Sequence, residues 1–375
     1  CMGSGALFSI RFGQKDEQGL KEAICTSFLL IAVITLLLNL LAFACLDGIA
    51  VFLQVPSDVW PLMREYLAVI FCGIAATFLY NYFASLLRSV GNSVAPLLFL
   101  AVSAILNIGL DLWFVIGLKR GVAGAAEATV ISQYISGIGL ALYYWVRFPA
   151  LRVERAHLKL RRSCIREIAG FSILTCIQQS VMNLGILMVQ GLVNSFGASV
   201  MAAFAAAVKI DAFAYMPVQD FGNAFSTFIA QNYGAKKKER IQAGLKGAVL
   251  TALIFCLIIS AAVWIFARPL MLIFVSPSET EIIAEGIRYL HIEGAFYCGI
   301  GCLFLLYGLY RALGKPGMSV VLTVVSLGTR VALAYLLYAI PAVGVVGIWW
   351  SVPIGWFLAD MTGLLYYRRK KGELL

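Results

Sequence analysis

Charge is scarce in this 375-residue chain. Asp, Glu, Lys and Arg make up 13% of it and hydrophobic residues 61%, where soluble domains run at about 25% and about 45–50%. That balance excludes a conventional water-soluble core. Histidine is nearly absent, with only His157 and His291, and the nine cysteines include no CxxC pair. A metal centre is therefore not expected, and the cysteines read as small buried hydrophobes, Cys298 and Cys302 included. No cluster of His, Asp and Glu gathers near either end of an apolar run, which argues against a membrane-embedded enzyme. No cofactor is called for.

What is present is a succession of long apolar runs. Complete spans are expected at about 23–45, 66–88, 94–116, 121–146, 167–193, 199–230, 243–267, 289–311, 317–340 and 345–367, after a helix tail over residues 1–12. Each span is long enough to cross about 30 Å of hydrocarbon. Pro96, Pro217 and Pro353 fall within or beside spans, where proline is tolerated.

The chain carries a net charge of +10, and its distribution explains that surplus without nucleic acid. Alternate loops hold 22 Lys and Arg on one side, including seven between Arg147 and Arg166, against 5 on the other. Such a bias assigns the richer side, with the C-terminus, to the cytoplasm. Only Lys209 and Arg330 remain inside spans.

The two halves of the chain echo each other. Arg88-Ser-Val-Gly91 returns as Arg311-Ala-Leu-Gly314, Gly121-Val-Ala-Gly124 as Gly344-Val-Val-Gly347, both 223 residues later, and Phe12-Gly-Gln-Lys15 as Tyr233-Gly-Ala-Lys236 after 221. The copies keep one orientation, a parallel repeat about an axis along the membrane normal, as in secondary transporters. A channel would not need such a repeat around one ionisable pocket. The expected architecture is an all-α membrane protein of two six-helix bundles. The N-lobe is expected at 1–148, a basic cytoplasmic linker at 149–166 and the C-lobe at 167–375. By the same offset, helix 1 and most of helix 2 would precede Cys1, so the chain reads as a fragment.

Residues 104–133 draw the functional reading. Two apolar helices joined by a turn near 117–121 carry a lone carboxylate, Asp111. Ionisable groups at such depth cost on the order of 3 kcal/mol and mark ion paths, proton relays or counter-ion pairs. Asn107 is one turn earlier on the same face. At about 1.5 Å per residue, Asp111 and Thr129 stand at similar distances from the turn, and Gln133 falls opposite Asn107. An antiparallel hairpin would bring Asn107, Asp111, Thr129 and Gln133 to one level. Other polar residues inside spans are Gln178, Gln179, Lys209, Asp211 and Arg330, candidate substrate or lobe contacts. Lys209 and Asp211 are two apart and so point away from each other, with Arg330 a candidate partner for one of them. Glu127 faces away from Thr129.

The turn FGQKDEQGLKEA (12–23), RSVGNSVAP (88–96), NIGLD (107–111), GVAGAAEATVISQ (121–133), KIDAFAYMPVQDFGNAFSTFIAQNYGAKK (209–237) and RALGKPG (311–317) together resemble the multidrug and toxic compound extrusion (MATE) family over essentially the whole chain. The second half is more similar to its DNA-damage-inducible branch. Gln178 and Gln179 stand where the sodium-driven bacterial branch has an acidic residue. The resemblance implies two six-helix lobes around a central cavity and export of small organic, often cationic compounds. It implies antiport against H⁺ or Na⁺ by alternating access, in a bacterial plasma membrane, by a monomeric chain. It also places the coupling site on Asn107, Asp111 and Thr129, with a further aspartate in the first helix, ahead of Cys1. A lipid-linked oligosaccharide flippase of a related superfamily is the rival, though it would call for a strongly cationic cavity.

Overall fold

The computed structural model describes residues 1–48, 57–154, 161–338, 340 and 344–374. His157 and part of the expected linker lie outside the described residues. Among the described residues every regular element is a helix. The helices are α1 (Met2–Gln14), α2 (Glu17–Ala44), α3 (Trp60–Cys72), α4 (Ile74–Ser89), α5 (Val94–Asp111), α6 (Gly121–Arg147), α7 (Arg162–Asn194), α8 (Ala198–Gly234), α9 (Lys238–Met271), α10 (Thr280–Gly294), α11 (Tyr297–Ala312), α12 (Pro316–Tyr338) and α13 (Gly344–Leu374). A helix stands at each expected span. Eight segments, or nine with α10 and α11 taken together, are long and apolar enough to cross a membrane by length and composition. α6 falls short of that measure because it carries Glu127, Thr129, Ser132, Gln133 and Ser136. Outward-facing side chains are strongly apolar, as lipid contact requires: Ile105 is 73% exposed and Leu97 64%.

The chain divides into two compact units, 1–169 and 170–375. In the first, α3, α4 and α5 pack on α6. Its core is aromatic: Phe8, Phe28, Phe83 and Tyr82 meet edge to face or tilted. The Tyr82 hydroxyl donates to Ile24 O at 2.6 Å. The first turns of α7 belong to this unit, through Cys164 and Ile168 in its core and an Arg11–Glu167 ion pair at 2.7 Å. In the second unit α8 packs on α9, α10 and α11, and α12 on α13. Phe204, Tyr289 and Trp349 form an aromatic cluster there. α8 and α11 touch through glycines: a Cβ on Gly308 would stand 2.5 Å from Gly222 O. Small residues are how membrane helices approach this closely.

The repeat is visible in the backbone. Left-handed residues recur in pairs: Lys15 (φ 58°) with Lys236 (56°), Gly91 (91°) with Gly314 (73°), and Gly121 (55°) with Gly344 (54°). These are helix ends and starts, where a positive φ closes or opens a helix. Breaks recur as well. The long span 60–89 is interrupted at Gly73, and 223 residues later Phe296 lies in the break between α10 and α11, which bends by 51°.

Candidate functional site

Both units build polar side chains into their apolar helices, and two of these clusters hold residues singled out from the sequence. In the first unit the α5–α6 hairpin closes as the spacing predicts. The Asn107 amide donates to Thr129 Oγ1 at 3.4 Å, and that hydroxyl donates to Ala125 O one turn back. Asp111 is half-buried one turn beyond Asn107, with its Oδ1 buried and without a hydrogen-bond partner. An orphaned carboxylate oxygen in an apolar setting is a costly arrangement that marks a place for a proton or cation.

Gln133 is turned elsewhere. Its Oε1 accepts from the Thr77 hydroxyl at 3.0 Å, and that hydroxyl also lies 3.2 Å from Gly73 O. The expected four-residue set is thus the Asn107–Thr129 pair with Asp111 beside it on α5, while Gln133 serves the α3–α4 break. The reason is local. The break leaves carbonyls without helical partners, and side chains from neighbouring helices supply them. Asn39 donates to Phe71 O at 2.8 Å and Tyr134 to Cys72 O at 2.9 Å. A Cβ on Gly73 would be crowded there, 2.9 Å from Val130 Cγ2, 3.0 Å from Ile70 O and 3.3 Å from Gln133 Oε1. Glu127 faces away from this set and pairs with Arg120 at 2.8 Å, a contact within its own helix start.

Immediately after Asp111 the chain winds wider, as a π-helical turn over Leu112–Gly117. Leu118 N–H donates to Trp113 O at 2.8 Å. Such turns are rare and concentrate at functional positions.

In the second unit Asp211 on α8 and Glu293 on α10 are both 4% exposed and lie together. The Tyr297 hydroxyl donates to Asp211 Oδ1, Tyr289 stands beside both carboxyls, and the Arg330 guanidinium acts on both. Asp211 Oδ2, Glu293 Oε1 and Arg330 Nε have no hydrogen-bond partner. The Arg330 guanidinium acts on Asp211 through its field and, among the described residues, forms no ion pair with it; Glu293 was not anticipated from sequence. Its signal was present, because it is the sole acid in the span 289–311. Lys209 takes no part. It is exposed, with Nζ 5.7 Å from the centroid of the Phe274 ring. Gln178 is buried and Gln179 half-buried on α7.

Many apolar helices enclosing a few buried ionisable groups, in two units of matching backbone pattern, define a multi-pass membrane transporter. The chain belongs to the MatE family, whose profile matches residues 1–113 and 172–336. It is similar to the Probable multidrug resistance protein YpnP of Bacillus subtilis (27% identity over 96% of this chain and 80% of the relative) and to the Multidrug export protein MepA of Staphylococcus haemolyticus (22% over 94% and 77%). Its fold matches a solved outward-facing structure of a multidrug resistance MATE family transporter of the MOP superfamily. That match has a TM-score of 0.94 at 21% identity, over 100% of this chain and 83% of that one. A MOP superfamily transporter from Pyrococcus furiosus matches with a TM-score of 0.92. Members of this family are transporters, not enzymes.

Proposed function

We propose that this protein exports small organic, often cationic compounds in exchange for H⁺ or Na⁺ by alternating access, with Asp111 as the coupling group. The observation that carries the reading is the orphaned Oδ1 of Asp111 next to the Asn107–Thr129 pair. The names of the relatives, multidrug resistance and multidrug export proteins, support the cargo class. A proton on Asp111, or a Na⁺ shared with Asn107 and Thr129, removes the uncompensated charge. It thereby favours the packing of α5 and α6 that tolerates a neutral group. The ion shifts the balance between the two access states only by its differential affinity for them. The charge bias of the loops supports a plasma-membrane topology with the basic loops and C-terminus cytoplasmic.

The test is Asp111→Asn in the full chain, expressed in cells or reconstituted in vesicles. Gradient-driven dye efflux is expected to fall to background with normal membrane abundance. Wild-type efflux from the variant overturns the coupling role. Collapse of wild-type efflux on dissipating the H⁺ gradient alone, or the Na⁺ gradient alone, identifies the ion.

A further inference from the structure

Lys209 belongs to neither polar cluster, and its surroundings point outside the protein. It lies in α8, eleven residues after the helix begins at Ala198. Among the described residues no carboxylate forms an ion pair with it. Its near neighbour Asp211 points the other way and is held by Tyr297. An ammonium at membrane depth must snorkel to the interface or meet an anion; the contact it has is the Phe274 ring.

The same Phe274 walls a groove of about 470 Å³ between α8 and α9, lined also by Ile210, Phe213, Val263 and Phe266. Every lining side chain is apolar. The groove has a local cause. Pro269 cannot donate to the carbonyl one turn back, and α9 departs from helical geometry at Phe266 (φ −99°, ψ 15°). The last turn of α9 and the chain after it therefore leave the line of the helix and leave space beside α8. Phe213 projects into that surface with 78% of its area exposed. The volume falls in the range of about 300–1,000 Å³ usual for small-molecule sites.

A soluble anion would satisfy Lys209 and leave a dry groove unfilled; a neutral hydrocarbon would fill the groove and leave the ammonium unpaired. An amphiphile with an anionic head does both. We propose that the α8–α9 groove holds an acyl chain of an anionic phospholipid whose phosphate sits on Lys209. This site is independent of Asp111 and of the coupling reading.

The experiment uses the purified full chain in mixed micelles with phosphatidylglycerol carrying a photoreactive acyl chain, and maps the label by mass spectrometry. Label is expected on the peptides holding residues 210–214 and 259–274. Lys209→Gln should reduce it about fivefold, the loss expected for one lysine–phosphate contact, and Lys209→Arg should restore it. Ala262→Trp, which fills the groove while keeping the ammonium, should reduce it as well. Monodisperse elution and unchanged labelling elsewhere certify that each variant is folded. Equal labelling by a phosphatidylcholine probe, or undiminished labelling of Lys209→Gln, overturns the proposal. So does displacement of the label by a soluble aromatic carboxylate, which would make this a site for free organic anions.

Discussion

At position 107 the first unit has Asn, and its repeat counterpart, 330, is Arg. Asp111 answers to Ala334, Thr129 to Val352 and Gln133 to Trp356. The second unit has instead buried its acids at Asp211, Glu293 and Asp360, and the counterparts of Glu293 and Asp360 in the first unit are Ile70 and Gly137. The backbones meanwhile agree at helix ends, with left-handed residues at Lys15 and Lys236, Gly91 and Gly314, and Gly121 and Gly344. Helix ends and breaks are thus shared by the two units, and the electrostatics are not. Both units leave carboxylate oxygens without a hydrogen-bond partner, Asp111 Oδ1 in the first and Asp211 Oδ2, Glu293 Oε1 and Asp360 Oδ1 in the second. What differs is the company: two neutral polar groups beside Asp111, an arginine and two tyrosines near Asp211 and Glu293. The first arrangement is suited to taking up a cation from solution, the second to holding four helices, α8, α10, α11 and α12, to one another.

The sharpest way to break this contrast is Arg330→Ala. Removing the guanidinium takes away the cation whose field acts on two buried carboxyls, a loss of about 1–3 kcal/mol. The melting temperature of the solubilised protein should fall steeply or expression should fail. Asn107→Ala, at the matching position, forfeits one long hydrogen bond worth about 1 kcal/mol or less. It should lower efflux far more than stability, and the reverse ordering would overturn the division of labour. Next come Gly91→Ala and Gly314→Ala. An L-residue in the left-handed region costs about 1–2 kcal/mol, and a Cβ would meet nothing closer than 3.9 Å at either site. The two melting-temperature drops should be equal if the units share backbone design.

The smallest difference lies in the turns after α1 and α8. Asp16 caps α2 by accepting from Gly19 N–H at 2.9 Å, whereas its counterpart Lys237 makes no side-chain cap to α9. Asp16→Ala should cost about 0.5–2 kcal/mol and Lys237→Ala nothing measurable. The Gly19 N–H, and after it Arg11, hold the Asp16 carboxyl below its ordinary range. Its contribution is therefore complete above the unfolded value of about 3.9 and is lost as pH falls through the lower folded value. Acid melting of wild type and Asp16→Ala should converge at low pH.

The sequence carried the span positions because apolar length is a strong signal, and it carried the repeat because glycines at helix ends cannot drift. The Asn107–Thr129 contact followed from counting back from one turn. The other contacts did not follow, for a physical reason. Asp211 and Glu293 are 82 residues apart on helices related only through tertiary packing, so no hairpin arithmetic joins them. The break at Gly73 lies within an unbroken apolar run, and Thr77 looks like any threonine until that break gives Gln133 something to do. The π-helical turn leaves no mark on a hydrophobic pattern.

That wide turn has its own meaning for the hairpin. Six residues wound at five-residue spacing contain one residue more than an α-helix would use for the same climb. The surplus sits directly behind Asp111. It offsets by roughly 100° the face on which the chain enters the bend at Leu118–Arg120. The direction in which the carboxylate looks and the direction in which the next helix departs are thus set separately, so either can be altered without dragging the other along.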